Sequence, residues 1–361
     1  MGDAQISRRN PRTLGQLGRA VPLGQWELVN GLSPDGSLLA TMAMNARPVS
    51  IRFLDLTRGE WSGGGIELPQ LGIRAVRWLD PRTIVVLGMR PDGLRAVFVD
   101  SERGRVVRKV RVPSNLEGPY AEPTAAGMAL LLRPLTYRPM GPVLLGVIRP
   151  SGVVKIVEVE RVSSGHVERS RRPALIADPA SSHAYVFGGL DEPVADVDLR
   201  TLTVRYHTLR GPRPLEGTLG AERFGTWLAP GRILIGGWDD SDTATRRLGL
   251  SVVDTKTWRL KRIDLDADFF VKSNDLLLSL HLDGSLSAFG LGGQRRFSVA
   301  EQVFQLGTVA SNGRYVYAYN LAPGSPDSAL VVDGRSGGRL SWVQAPPFSL
   351  VLSPGLWVLG M

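Results

Sequence analysis

The sequence predicts an all-β fold built from a repeated four-stranded unit, because two sets of turns recur along its 361 residues. The first set follows apolar runs that mostly end in aspartate. Its clearest copies are Phe53-Leu54-Asp55, Phe98-Val99-Asp100, Asp196-Val197-Asp198, Val252-Val253-Asp254 and Val331-Val332-Asp333, with degenerate copies at Val147-Ile148-Arg149 and Ala288-Phe289-Gly290. Successive copies lie 36 to 56 residues apart, around the ~40–50 residues of a four-stranded propeller blade.

The second set consists of tight turns rich in Pro, Asn, Asp and Gly, each followed by an apolar strand. These residues supply backbone angles that other residues resist. The turns lie at 33–36, 79–82, 125–127, 177–179, 229–231, 273–275, 311–313 and 353–355. Each blade is therefore expected to contain an inner hairpin around a turn of this second set and an outer hairpin around a post-aspartate turn.

The two sets differ in number, and the difference predicts how the chain closes. There are eight inner turns and seven outer ones, and the unmatched inner hairpin is the C-terminal one, 348–361. Segment 18–23 has the pattern of the missing outer strand, and pairing it with the C-terminal strands would remove exposed edges. We predict a β-propeller of eight four-stranded blades whose last blade is closed by the N-terminal strand. Seven blades with extra terminal strands is the alternative.

Composition agrees with one repeat domain over 1–361, in which residues 1–17 are expected to form a poorly ordered or extended N-terminal arm. The chain has no cysteine, so disulfides, thiolate nucleophiles and zinc–thiolate sites are excluded. No segment reaches the ~18–20 apolar residues of a membrane-spanning helix. The N-terminus lacks the apolar region of a secretory signal. We therefore expect a cytoplasmic monomer, or an extracytoplasmic protein if the N-terminus is mis-assigned or processed.

The net charge of +9 does not by itself indicate a nucleic-acid partner. Only five of the 43 basic residues are lysines, a ratio that GC-rich coding also produces. The basic residues are not interleaved with aromatic residues that could stack on bases. Nucleic-acid binding is therefore not expected.

Four segments resemble a known bacterial repeat. Ser33-Pro34-Asp35-Gly36-Ser37-Leu38-Leu39-Ala40, followed by Phe53-Leu54-Asp55, is similar to the signature of YVTN and WD40-like propellers, and 252–257 and 331–338 repeat its second half. The resemblance covers almost the whole chain and implies the propeller fold. It leaves function open, because the superfamily includes adhesion modules, assembly scaffolds, lactonases and quinoprotein dehydrogenases.

Asp264, Asp266 and Asp268 are the weak candidates for a metal site. On a regular strand they would face one way about 7 Å apart, and oxygen ligands of this kind suit Ca²⁺. No Gly or Glu follows at the spacing of a calcium-binding loop. A solvated strand edge is the competing interpretation, and we predict no metal and no cofactor.

A loop with an exposed Trp among acidic residues is the candidate for ligand or partner binding, since Trp and rim charges are common at interfaces. We expect it to join the second and third strands of its blade, beside the matching acidic loop of the preceding blade. The candidate residues are Trp238, Asp239, Asp240, Asp242, Asp191 and Glu192. In the competing interpretation the acidic residues only make these loops soluble.

No catalytic set can be assembled from the remaining polar residues. The four histidines lack metal-pair spacing and are expected in different blades or loops; they are His166, His183, His207 and His281. No Gly-x-Ser-x-Gly turn marks a nucleophilic serine. The sequence therefore predicts a non-enzymatic binding or scaffold protein that recognises a protein or small ligand through its loops and central funnel. A lactonase-like or quinoprotein-like enzyme is the alternative.

Overall fold

The computed structural model contains strands and turns, and no helix occurs among the residues it describes. Those residues are 5–24, 27–43, 48–68, 72–133, 141–163, 173–188, 192–210, 221–241, 244–247, 249–273, 275–281, 283–299, 308–311, 314–319, 328–344, 348–352 and 357–360.

The strands are numbered β1 to β34 from the N-terminus. Those of the first half are β1 (Gln5–Arg9), β2 (Gln16–Pro22), β3 (Glu27–Leu32), β4 (Leu38–Ala43), β5 (Ser50–Asp55), β6 (Glu60–Trp61), β7 (Ile66–Glu67), β8 (Gly72–Trp78), β9 (Thr83–Arg90), β10 (Gly93–Asp100), β11 (Arg105–Val112), β12 (Asn115–Thr124), β13 (Gly127–Arg133), β14 (Pro142–Ile148), β15 (Val154–Ser163), β16 (Ala174–Ala177) and β17 (His183–Phe187). Those of the second half are β18 (Val194–Asp198), β19 (Thr203–His207), β20 (Ala221–Ala229), β21 (Arg232–Ser241), β22 (Ala244–Arg247), β23 (Leu250–Asp254), β24 (Arg259–Asp264), β25 (Ala267–Ser273), β26 (Leu276–His281), β27 (Leu286–Gly290), β28 (Arg295–Val299), β29 (Thr308–Ser311), β30 (Tyr315–Tyr319), β31 (Ser328–Asp333), β32 (Arg339–Gln344), β33 (Phe348–Leu352) and β34 (Trp357–Gly360).

These strands form eight sheets within the described residues, each with a path of four strands. Their orders are β2-β1-β34-β33, β3-β4-β5-β6 with β7 beside β5, β11-β10-β9-β8, β12-β13-β14-β15, β16-β17-β18-β19, β20-β21-β23-β24 with β22 beside β21, β25-β26-β27-β28, and β29-β30-β31-β32. The predicted inner turns at 33–36, 79–82, 125–127, 177–179 and 229–231 each join the first two strands, in chain order, of one sheet. The turns predicted at 273–275, 311–313 and 353–355 lie wholly or partly outside the described residues. The fold is a β-propeller of four-stranded antiparallel sheets, as predicted, and the exact number of blades stays a prediction.

The two chain ends share the sheet β2-β1-β34-β33, as predicted, but the strand that pairs with β34 is β1 and not segment 18–23, most of which lies in β2. Strand β1 pairs with β34, for example Ile6 with Leu359, and with β2 on its other side. The N-terminus thus supplies two strands of this sheet. Residues 5–9 and 16–17 of the predicted N-terminal arm therefore lie in paired strands. Ile6 is fully buried and pairs with Leu359 at the other end of the chain, so the sequence around residues 5–9 does not by itself mark them as a strand.

The chain divides into two compact units, one of residues 1–45, 54–62 and 263–361, the other of residues 46–53 and 63–262. Within the second unit, neighbouring sheets share continuous apolar cores. Phe98 and Leu130, for example, lie in one such core between sheets β8–β11 and β12–β15. In the first unit, sheets β25–β28 and β29–β32 share another core. These shared cores explain why several strands are apolar on both faces.

In all five clear copies of the post-aspartate turn, the aspartate Oδ1 atom accepts a hydrogen bond from the backbone N–H two residues later. In the copy at Asp254, the Oδ1 atom accepts hydrogen bonds from the backbone N–H groups of Lys256 (3.0 Å) and Thr257 (2.8 Å). The fifth residue of each turn has positive φ, a left-handed conformation that favours glycine. These residues are Gly59 (74°), Gly104 (60°), Leu202 (62°), Trp258 (55°) and Gly337 (74°). Two copies therefore hold a bulky residue where glycine is preferred.

The two sets of turns meet within each of these sheets. The residue after the aspartate donates its N–H to a carbonyl near the inner turn, as Thr255 does to Gly231 at 2.9 Å. The equivalent bonds are Leu56 to Ser37, Ser101 to Arg82, Leu199 to Ser182 and Gly334 to Arg314. In these five sheets each post-aspartate turn is therefore hydrogen-bonded to the region of the inner turn, which links the two sets of turns seen in the sequence.

Candidate functional site

The predicted binding residues Trp238, Asp239 and Asp240 lie in a strand and not in a loop. The first part of β21 pairs with β23, whereas its last part pairs with the additional strand β22. Strand β20 pairs with β21 as far as Asp239. The sheet therefore continues past the end of β23 as a three-stranded ribbon (β20, β21 and β22).

The backbone register of the ribbon pairs the last part of β21 with β22. In this register Asp239 is the partner of Arg246 and Trp238 is the partner of Arg247. The sequence signal for this hairpin is the change from Asp-Asp to Arg-Arg across a few polar residues, which our loop interpretation missed. Asp242 and Asp191 lie outside the described residues.

Glu192, the remaining predicted binding residue, forms a hydrogen bond within the second unit. Its Oε1 atom accepts a hydrogen bond from the Ser163 N–H at 3.1 Å. A Cβ atom added to Gly188 would overlap its Oε2 atom. Gly188 thus leaves the space in which this carboxylate lies, and Glu192 connects β15 to the start of β18.

The three candidate metal ligands do not alternate along one strand as expected. Asp264 ends β24 and Ala267 begins β25, so Asp266 lies in the connection between the two strands. Asp264 is buried and Asp266 is exposed, because the connection turns the chain between them. Asp268 lies in β25. Among the described residues no group of three His, Asp or Glu side chains could hold a metal ion.

Asp264 instead belongs to a hydrogen-bonded network with a histidine. Its Oδ2 atom lies 2.7 Å from His281 Nε2, and His281 Nδ1 lies 2.7 Å from Ser285 Oγ. Ser285 Oγ in turn lies 2.7 Å from Asp283 Oδ1. The order Asp–His–Ser is that of a hydrolase triad, so the positions of the protons decide its chemistry.

The proton positions follow from the charges at the two ends. Hydrogen bonds from Ser285 hold the pKa of Asp283 below its ordinary value. The pKa of Asp264 is also lowered; burial opposes this, but the hydrogen bond from His281 helps to outweigh it. Both carboxylates are therefore ionised at neutral pH and can only accept. Ser285 must donate to Asp283, so His281 must donate from both ring nitrogens.

His281 is therefore held as an imidazolium, and its pKa is raised above the ordinary 6.5, chiefly by the hydrogen bond to Asp264. A protonated histidine cannot accept the proton of a nucleophilic serine. We interpret this network as structural.

A second carboxylate–histidine group, in the second unit, was missed by sequence reasoning. His183 Nδ1 lies 2.7 Å from Asp196 Oδ1, and His207 Nε2 lies 3.9 Å from Asp196 Oδ2. The expectation that each histidine occupies a different blade or loop is wrong for this pair, since β17 and β19 flank β18 in one sheet. His166 lies outside the described residues.

Aromatic rings join this group to the next sheet. The ring of His207 stacks on Trp258 at 4.1 Å between centroids with 10° between planes. Trp258 also meets Tyr185 edge-on at 5.9 Å. Burial, followed by the charge of Asp196, raises the pKa of Tyr185 to about 12. Tyr185 therefore stays neutral over the physiological range.

The architecture and these contacts place the chain among the β-propeller proteins. No protein-family model and no curated protein sequence matches it.

Solved structures show the same fold at low sequence identity. Dihydro-heme d1 dehydrogenase NirN, solved in complex with DHE, superposes with a TM-score of 0.57 at 12% identity over 94% of this chain and 73% of its own. AztD from Citrobacter koseri superposes with a TM-score of 0.56 at 12% sequence identity, over 95% of this chain and 94% of its own. BamB from Moraxella catarrhalis superposes with a TM-score of 0.54 at 13% sequence identity, over 94% of this chain and 97% of its own. Such identities establish the fold alone.

The described part of the chain has no helix long and apolar enough to cross a membrane.

Proposed function

We propose that this chain is a single-domain, YVTN or WD40-like propeller that binds a protein or a small ligand without catalysing a reaction. The ribbon of β20, β21 and β22 is the binding element. The observation that carries the proposal is the continuation of β21 past β23, with Trp238, Asp239 and Asp240 on the extended part.

Two features support a binding role for the ribbon. Trp is enriched among the residues that dominate interface energies. The ribbon is also built on two long strands, since β20 has nine residues and β21 has ten, and rigid elements position binding groups better than loops do.

The alternative, a lactonase-like or quinoprotein-like enzyme, has less support. The Asp264–His281–Ser285 network has the residue types of a hydrolase, but its proton arrangement leaves no base for Ser285. A hydrolase activity of the purified protein that is lost in Ser285→Ala would overturn the non-enzymatic part of the proposal.

The binding proposal is tested by site-specific photocrosslinking. A photoreactive amino acid is placed at position 238, and the matched control carries it at Val107, which is 45% exposed on a different sheet. Material captured only from position 238 is identified by mass spectrometry, and native mass spectrometry of the intact protein detects small ligands.

The captured species is then purified and its affinity measured. Replacing a Trp that dominates an interface costs about 2 kcal/mol or more, roughly 30-fold in Kd. We expect Trp238→Ala to weaken binding by that order and Val107→Ala to leave it unchanged. Equal capture from both positions, or binding unaffected by Trp238→Ala, would refute a role for the ribbon.

A further inference from the structure

Three residues after β19 run along the free edge of the neighbouring sheet, and we call Thr208–Arg210 the strap. The Arg210 N–H donates to the Trp258 carbonyl at 2.8 Å, and the Leu260 N–H donates to the Arg210 carbonyl at 2.7 Å. Arg210 thereby forms a parallel bridge to β24, and Leu209 packs on the core between the two sheets. The strap covers the beginning of an edge strand, which otherwise presents unpaired backbone groups.

The residue at which the strap is fastened is conformationally strained. Trp258 has a φ of 55° and is 8% exposed, and a bulky residue rarely adopts this conformation. Its carbonyl accepts the hydrogen bond from the Arg210 N–H, and its ring stacks on the ring of His207. The strap and His207 are thus attached to the same residue, and surrounding contacts must keep it there.

His207 stacks well but is incompletely hydrogen-bonded. Its Nε2 atom is buried and has no hydrogen-bond partner among the described residues. The nearest acceptor is Asp196 Oδ2 at 3.9 Å, whereas Oδ1 of the same carboxylate is taken by His183. One carboxylate oxygen therefore faces a ring nitrogen slightly beyond hydrogen-bonding distance.

We propose that His207 is an acid-sensitive switch that releases the strap from β24. A proton on Nε2 creates a charged donor, for which Asp196 Oδ2 is the adjacent acceptor. Closing 3.9 Å to the ~2.8 Å of a charged hydrogen bond moves the ring by about 1 Å toward β18. This movement slides the ring across the face of Trp258 and pulls on the strap, which begins at the next residue.

The groups around His207 give the direction of the switch. Two charged groups act on the His207 ring, Asp196 from β18 and Arg205 from its own strand. Strand β17 carries two further titratable residues of this group, His183 and Tyr185. The turn between β23 and β24 contributes the uncharged ring of Trp258. Burial lowers the pKa of His207 below 6.5 and outweighs the opposing effect of Asp196. The ring is therefore neutral at pH 7.5 and takes up its proton only on acidification below 6.5.

Hydrogen exchange of single backbone amides tests the proposal, because the Leu260 N–H reports the strap directly. Exchange rates are divided by the intrinsic rate at each pH, and the titration of the His207 ring is followed by NMR in the same samples. We expect protection of Leu260 to fall at least tenfold between pH 7.5 and 5, with a midpoint that matches the His207 titration.

Two variants separate the switch from general acid unfolding. His207→Phe keeps a flat ring on Trp258 but cannot be protonated, so Leu260 should stay protected at both pH values. His281→Gln, the matched control in the other unit, should leave the response of Leu260 as in the unaltered protein. The proposal is overturned if Leu260 loses protection equally in His207→Phe, if the two midpoints differ, or if protection does not change with pH.

Discussion

Replacement of Trp258 by glycine tests whether the left-handed position of the post-aspartate turn is strained. Truncating a buried Trp costs about 3–5 kcal/mol, and Trp258 is 8% exposed. Relief of the left-handed conformation returns about 1–2 kcal/mol. We therefore expect Trp258→Gly to lower the free energy of unfolding by about 1–4 kcal/mol.

Two matched variants isolate the strain. Leu202 occupies the same turn position but is only half-buried, so in Leu202→Gly the lost contacts and the relieved strain nearly cancel, within about 1 kcal/mol. Gly104 has no atom within 4 Å of an added Cβ, so Gly104→Ala reports strain alone, about 1–2 kcal/mol of destabilisation.

Urea unfolding followed by circular dichroism measures all three variants without relying on Trp fluorescence. The strain argument fails if Leu202→Gly destabilises as much as Trp258→Gly, or if Gly104→Ala has no effect.

Three further predictions follow from burial and charge. Val332 is fully buried, so Val332→Asp should cost about 3 kcal/mol or more; an unchanged thermal midpoint would contradict its place in the core. Gly188→Ala should displace the Glu192 carboxylate and speed amide exchange at Ser163, and retention of that protection would show that the carboxylate is not confined. The pKa of His281 is raised on folding, so its contribution to stability is present below pH 6.5 and is lost as pH rises through the raised value. His281→Gln should remove this loss, as urea unfolding at several pH values would show, and a matching pH dependence in both proteins would exclude the imidazolium assignment. The lowered pKa of Asp264 acts at the other end of the range, since its contribution is present above 3.8 and is lost as pH falls through the lowered value.

Local sequence was sufficient to predict the turns and the strands beside them. Asp254, for example, is followed by residues whose N–H groups it binds, and such turns depend on residues that are adjacent in the chain. The ribbon was missed because β21 continues as a strand beyond the Gly236-Gly237 pair, which reads locally as the start of a loop. The strand continues there because β22 pairs with it, with Asp239 in register with Arg246.

The groups that carry chemistry could not be predicted, because they depend on register between strands. His183, Asp196 and His207 lie on three strands and meet only when those strands pair diagonally on one face of a sheet. His281 could not be distinguished from a catalytic base until the partners at both ring nitrogens were known.

The sequence by itself determined the all-β propeller fold, the positions of its turns and the joining of its two ends. It did so because turn chemistry and apolar runs act over a few residues and recur with each blade. The tertiary structure decided which side chains share a site, which acids are buried and which histidines carry a proton. Those properties depend on distances between strands that are remote in sequence, and a one-residue change of register would alter every one of them.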